Sequence, residues 1–73
     1  MNALYEGQAL IVGGDPAVAE VVIDVPVVSG AHLQVRVRGA QFEITDLSSS
    51  NGTFVGGQRV TRAMVEPHTP ISL

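Results

Sequence analysis

The sequence contains no cysteine, no lysine and no tryptophan, and each absence closes off a kind of chemistry. Without cysteine there are no disulfide staples, thiolate metal sites or cysteine nucleophiles, and His32 and His68 alone do not complete a structural zinc site. No metal site and no cofactor are expected. A chain without lysine, and so without a Gly-x-x-x-x-Gly-Lys run, has no P-loop for nucleotide hydrolysis. Positive charge is scarce: four basic residues, all arginine, stand against seven acidic ones for a net charge of −3, the reverse of a nucleic-acid-binding footprint. No apolar run approaches the ~18 residues that cross a bilayer, so no membrane insertion is expected. Residues 1–7 lack the basic n-region of a secretory signal, and Glu6 is out of place in a transit peptide, which predicts a cytoplasmic location. Seventy-three residues leave room for a single domain, or a fragment of one, and too little volume for a large enclosed active site.

What is present points to strands. Hydrophobic residues make up 45% of the chain, enough for a packed core rather than disorder. Val, Ile and Thr dominate, eight glycines and four prolines punctuate the sequence, and no window keeps a 3.6-residue apolar stripe. The pattern predicts an all-β sandwich or small barrel of antiparallel strands over 8–12, 21–24, 31–38, 41–46, 53–55, 58–60 and 70–73, with room for about one helical turn over 15–20. Ala31, Leu33, Val35 and Val37 alternate with His32, Gln34, Arg36 and Arg38, which turns the first set to the core and the second away from it. Gly39-Ala40 leads into a strand whose Phe42 and Ile44 face the same core. Gly56-Gly57 supplies the positive φ of a two-residue hairpin turn between 53–55 and 58–60.

Three segments carry the polar chemistry. Asp46-Leu47-Ser48-Ser49-Ser50-Asn51-Gly52-Thr53 crowds hydroxyl and amide side chains into one connection, more than a turn needs. It reads either as a hydrogen-bonding array for a ligand or as a polar turn that satisfies its own backbone, with Asn51-Gly52 taking left-handed φ values. Asn51-Gly52-Thr53 also matches the N-glycosylation triplet, which the missing secretory signal argues against. Ser29-Gly30-Ala31-His32 sets a hydroxyl near an imidazole, but nucleophilic catalysis needs in addition an orienting acid and an oxyanion hole around a cleft. An enzyme is not expected, and a histidine that pins loop backbone is the simpler reading. Val12-Gly13-Gly14-Asp15-Pro16 is either an anion-attracting backbone nest or a turn.

In this order and spacing the segments resemble the forkhead-associated (FHA) domain. Val12-Gly13-Gly14 is similar to that family's Gly-Arg corner, Ser29-Gly30-Ala31-His32 to its Ser-x-x-His, and Asp46-Leu47-Ser48-Ser49-Ser50-Asn51-Gly52-Thr53-Phe54-Val55 to its Asp-Leu-x-Ser-x-Asn-Gly-Thr-Phe-Val signature. Gly56-Gly57 stands where the family usually has Asn-Gly. The resemblance runs over residues 10–73 and implies an FHA-like β-sandwich that recognises phosphothreonine peptides through the loops at one end of its strands. By the same resemblance Ser29 donates to a peptide phosphate and Asn51 holds the peptide backbone. Ser50, Ser49 and Thr53 line the rim, and Gly13, His32 and Gly52 keep the loops in shape. Full-length FHA folds carry strands beyond both ends of this chain, so an exposed sheet edge is expected, with the chain either pairing as a homo-oligomer or forming part of a longer protein.

The family's phosphate-gripping arginine falls at Gly14, which has no side chain. A guanidinium–phosphate bond contributes roughly 1.5–3 kcal/mol, or about ten- to hundredfold in affinity. The expected function is therefore a protein-interaction scaffold or adaptor with weakened or absent phosphate dependence. The alternative is a phosphothreonine-reading signalling module in which another arginine substitutes. Arg36 lies seven residues past Ser29, up to roughly 23 Å along its strand, and Arg38 lies farther. The hairpin offers a nearer one: its turn pairs Val55 with Gln58, Phe54 with Arg59 and Thr53 with Val60, and the same register continued brings Arg62 beside Asn51.

Overall fold

The computed structural model describes residues 7–73; the reading of residues 1–6 lies outside the described residues. Eight strands are present: β1 (Ala9–Gly13), β2 (Val21–Val22), β3 (Leu33–Arg38), β4 (Gln41–Asp46), β5 (Thr53–Val55), β6 (Gln58–Val60), β7 (Arg62–Val65) and β8 (Ile71–Ser72). They form a five-stranded sheet in the order β2-β1-β3-β4-β7 and a three-stranded sheet in the order β6-β5-β8. Leu33, Ile44 and Val65 make the buried centre, and Val12, Val35 and Phe42 of the first sheet and Val55 and Ile71 of the second pack against it. The two sheets thus share one core, which is the expected sandwich. The alternation of 31–38 holds for Leu33 and Val35, and β3 pairs β4 with Val35 opposite Ile44 and Val37 opposite Phe42.

Two expectations need correction. β1 and β2 run parallel, with Val12 opposite Val21 and Gly13 opposite Val22, so the sandwich is not wholly antiparallel. After the turn in which Asp15 O accepts from the amides of Val18 and Ala19, the chain is carried back to the level of Ile11, whose O accepts from Glu20 N, so 21–22 set out again alongside β1 in the same direction. β7 falls on a segment assigned no strand. Its Arg62-Ala63-Met64-Val65 alternates outward and inward, but it has weak β formers and no turn residue separating it from β6.

On the outer face of the larger sheet, Glu43 is buried among Arg36, Arg38 and Arg62. The hydrogen bond from Arg62 holds its carboxyl below the usual range, against the opposing push of burial and with the added charges of Arg62, Arg38 and Arg36. Three of the four arginines are thereby committed to one carboxylate. Arg36 also donates to Gly7 O at 2.7 Å.

Candidate functional site

The end of the sandwich where β1 leads into β2, β3 begins and β4 leads into β5 gathers the three polar segments. Gly13 makes the approach possible: a Cβ placed there would lie 2.0 Å from Gly30 O, so only glycine lets the end of β1 meet the start of the next loop. Around that contact Gly14 N donates to Ser29 O (3.0 Å), Asp15 N to Gly30 O (3.2 Å) and His32 N to Val12 O (2.9 Å).

His32 is fully buried. Its Nδ1 accepts from the Ser29 amide at 3.1 Å, and its Nε2 lies 2.7 Å from Gly52 O. Because an amide occupies Nδ1, the ring carries its proton on Nε2 and donates it to the carbonyl. One imidazole therefore ties the loop before β3 to the loop before β5, the pinning role expected of it. Two further links run in parallel: Ser50 N donates to Ser29 Oγ at 3.0 Å and Asn51 Nδ2 to Val27 O at 2.9 Å.

The 46–53 loop is organised from within by Asp46. Its Oδ1 accepts from Ser49 Oγ (2.5 Å) and Thr53 Oγ1 (2.8 Å), its Oδ2 from Ser49 N (3.1 Å), and Ser49 Oγ accepts in turn from Gly52 N (3.0 Å). Ser48 (φ 59°) and Gly52 (φ 91°) take the left-handed conformations that close this ring. Burial works to raise the Asp46 carboxyl, but the hydrogen bonds from the Ser49 hydroxyl, the Thr53 hydroxyl and the Ser49 amide outweigh it and leave the group below its ordinary value. A depressed folded value gives stability that is complete above the unfolded carboxyl's titration, near pH 4, and lost as pH falls through the folded value. Thermal melts followed by circular dichroism between about pH 7 and pH 2 should show a decline starting below about pH 4. The variant Asp46→Asn should be less stable at pH 7 and show a smaller decline.

The structure sorts the expected site residues. Ser29, Ser50 and Asn51 meet at one surface, with Ser50 and Asn51 exposed. Among the described residues, the Ser29 hydroxyl hydrogen, the Ser50 hydroxyl and Asn51 Oδ1 have no protein partner. Gly13, His32 and Gly52 hold the loops together. Ser49 and Thr53 are buried struts on Asp46 and not part of the rim: the signature's serine and threonine satisfy the bend instead of facing out. Arg62 is placed elsewhere too. The hairpin register holds from Val55–Gln58 to Thr53–Val60 and then ends. Arg62 opens β7 in the other sheet opposite Thr45, with two hydrogen bonds to Glu43 Oε2, the one from Nε at 2.8 Å. A Cβ on Gly14 would lie 3.2 Å from Val28 O and 3.8 Å from Ser29 O, so the position without a side chain adjoins Ser29.

Asp46, expected as a turn former, organises the bend through its side chain, whereas Arg59 was not expected as a neighbour of the loop. For Asp46 the signal was a carboxylate three residues before Ser49, the spacing of a local side-chain turn. For Arg59 it was the hairpin register itself. A Cβ built on Gly52 falls 2.6 Å from Arg59 Nε and 3.1 Å from its Cζ, which lays this guanidinium against the loop.

The FHA domain family model matches residues 10–73. Among solved structures, the FHA domain of the CT664 protein from Chlamydia trachomatis is 29% identical, with a TM-score of 0.90 over 96% of this chain and 72% of that one. The FhaA FHA domain complexed with the intracellular domain of Rv3910 is 30% identical, with a TM-score of 0.82 over 97% of this chain and 76% of that one. EmbR of Mycobacterium tuberculosis, in complex with a low affinity phosphopeptide, is 27% identical with a TM-score of 0.80 over 89% of this chain and 17% of that one. A comparison with curated proteins gives no match.

Proposed function

The chain belongs to the FHA domain family, and from that premise we propose that it is a protein-interaction module that docks an extended peptide across Ser29, Ser50 and Asn51 by neutral hydrogen bonds, with weakened dependence on phosphate. The observation that carries this reading is the pair formed by Ser29 and Gly14. The hydroxyl at 29 is oriented by the Ser50 amide, while the adjoining position 14 has no side chain to place a charge beside it. Arg62, spent on Glu43, brings no substitute. That one relative is complexed with a protein domain and another with a phosphopeptide supports a protein or peptide partner, and in this reading the chain acts as an adaptor between proteins.

Docking is tested by amide chemical-shift mapping with a peptide pool that has a central threonine and degenerate neutral flanks. Shifts are expected at 27–29 and 50–52 and not along β7. Asn51→Ala should weaken binding about three- to tenfold, the loss of one or two neutral hydrogen bonds. Shifts confined to the outer face of the larger sheet would assign the interaction to that face and overturn this reading.

A further inference from the structure

Of the four arginines, Arg59 is the one whose guanidinium has no hydrogen bond or ion pair among the described residues. It is exposed on β6, opposite Phe54, and its side chain lies over the buried backbone of Gly52. The contacts set an order along the surface. Gly14 touches Ser29, Ser29 Oγ touches the Ser50 amide, the chain continues through Asn51 to Gly52, and Arg59 covers Gly52. The free positive charge thus stands over Gly52, whereas position 14 is bordered by Val28, Ile23 and Ser29.

Resting on the peptide-docking reading above, we infer that Arg59 is a specificity-determining residue of the site and takes a carboxylate that the docked peptide presents about two residues from the side chain held at Ser29 and Ser50. The spacing follows from extended backbone. Ser50 and Gly52 are two residues apart, at most roughly 7 Å, and an extended ligand alongside advances the same distance in two residues. The chemistry follows from the guanidinium. Its planar N–H groups match the two oxygens of a carboxylate, and among the described residues no acid pairs with them. The ligand class is therefore an acidic peptide, and phosphorylation of its central threonine is secondary.

Three peptide pools test this by titration at low ionic strength: a central threonine with neutral flanks, the same with Asp at the second position on both sides, and a central phosphothreonine with neutral flanks. The Asp pool should bind about three- to tenfold tighter than the neutral pool, as a partly screened guanidinium–carboxylate pair gives. Arg59→Ala should abolish that advantage, so that the variant binds the Asp and neutral pools alike. Arg59→Lys should keep part of it, and Arg38→Ala, at an arginine held by Glu43, should keep all of it. An Asp advantage that survives Arg59→Ala, or a native chain that binds the neutral and Asp pools alike, would overturn the inference and spare peptide docking. If Arg59→Ala removes a preference for the phosphothreonine pool instead, the residue serves phosphate and the carboxylate assignment is wrong. Failure of all three pools to bind would overturn docking itself, and this inference with it.

Discussion

Arginine in place of Gly14 is expected to raise the affinity for phosphothreonine peptides about ten- to hundredfold while leaving unphosphorylated peptides nearly unaffected, because a guanidinium–phosphate contact contributes roughly 1.5–3 kcal/mol. The position can accept the side chain. Its backbone is outside the left-handed region, and the Cβ would meet Val28 O at 3.2 Å, Ile23 O at 3.5 Å and Ser29 O at 3.8 Å, so relaxation by a few tenths of an ångström suffices. The new group leaves the backbone beside Ser29, whose hydroxyl hydrogen is free to bond a phosphate oxygen. Titration of Gly14→Arg with phosphorylated and unphosphorylated pools measures the effect. A variant that folds and gains nothing would show that the remaining groups are not arranged for phosphate.

The second large effect is on stability. Gly13→Ala should destabilise the fold by about 3 kcal/mol or more, above the ordinary cost of overpacking, because the added methyl carbon would sit 2.0 Å from Gly30 O and 2.7 Å from Gly30 C. Backbone is the obstacle on both sides, and the pairs that surround it, Gly14 N to Ser29 O and Ile23 N to Gly13 O, have to separate. In a domain this small each kcal/mol moves the melting temperature by roughly 4–8 °C, so a fall of more than about 12 °C is expected. Gly39→Ala is the matched control: its φ is +61° with nothing within 4 Å of the Cβ position, and its cost should be about 1 kcal/mol. Equal shifts for the two variants would show that the β1 corner yields easily.

Most of this architecture was legible in the residues, for physical reasons. The Gly56-Gly57 turn has a register that two residues determine, and the Thr53–Val60 pairing followed from it. The alternation of Leu33 and Val35 on one strand and of Phe42 and Ile44 on its neighbour, with Val35 opposite Ile44, identified the core faces because a strand of period two has one buried side. His32 was placed correctly as a pin. Its burial was not foreseen, because alternation turned it away from the core while the loops above it close over that face. β7 was hidden because burial on the sheet, not local preference, makes Arg62–Val65 a strand. That pairing also carried Arg62 away from the loop, since one residue, Thr61, separates the two ladders. Side chains counted as ligand groups, Ser49 and Thr53, turned inward because the partly buried Asp46 carboxylate takes their hydroxyls as donors. Patterns of one and two dimensions predicted the frame, whereas the inward or outward choice of a loop hydroxyl depends on contacts between distant segments.

The central claim is that position 14, without a side chain, leaves the peptide site nearly indifferent to phosphate. The most direct measurement is the ratio of dissociation constants for one degenerate-flank pool carrying central threonine and its phosphothreonine twin, titrated against the native chain at matched ionic strength. A ratio below about ten, less than one guanidinium contact supplies, is the predicted result. Tight binding of the phosphorylated pool with no detectable binding of its twin would contradict the account.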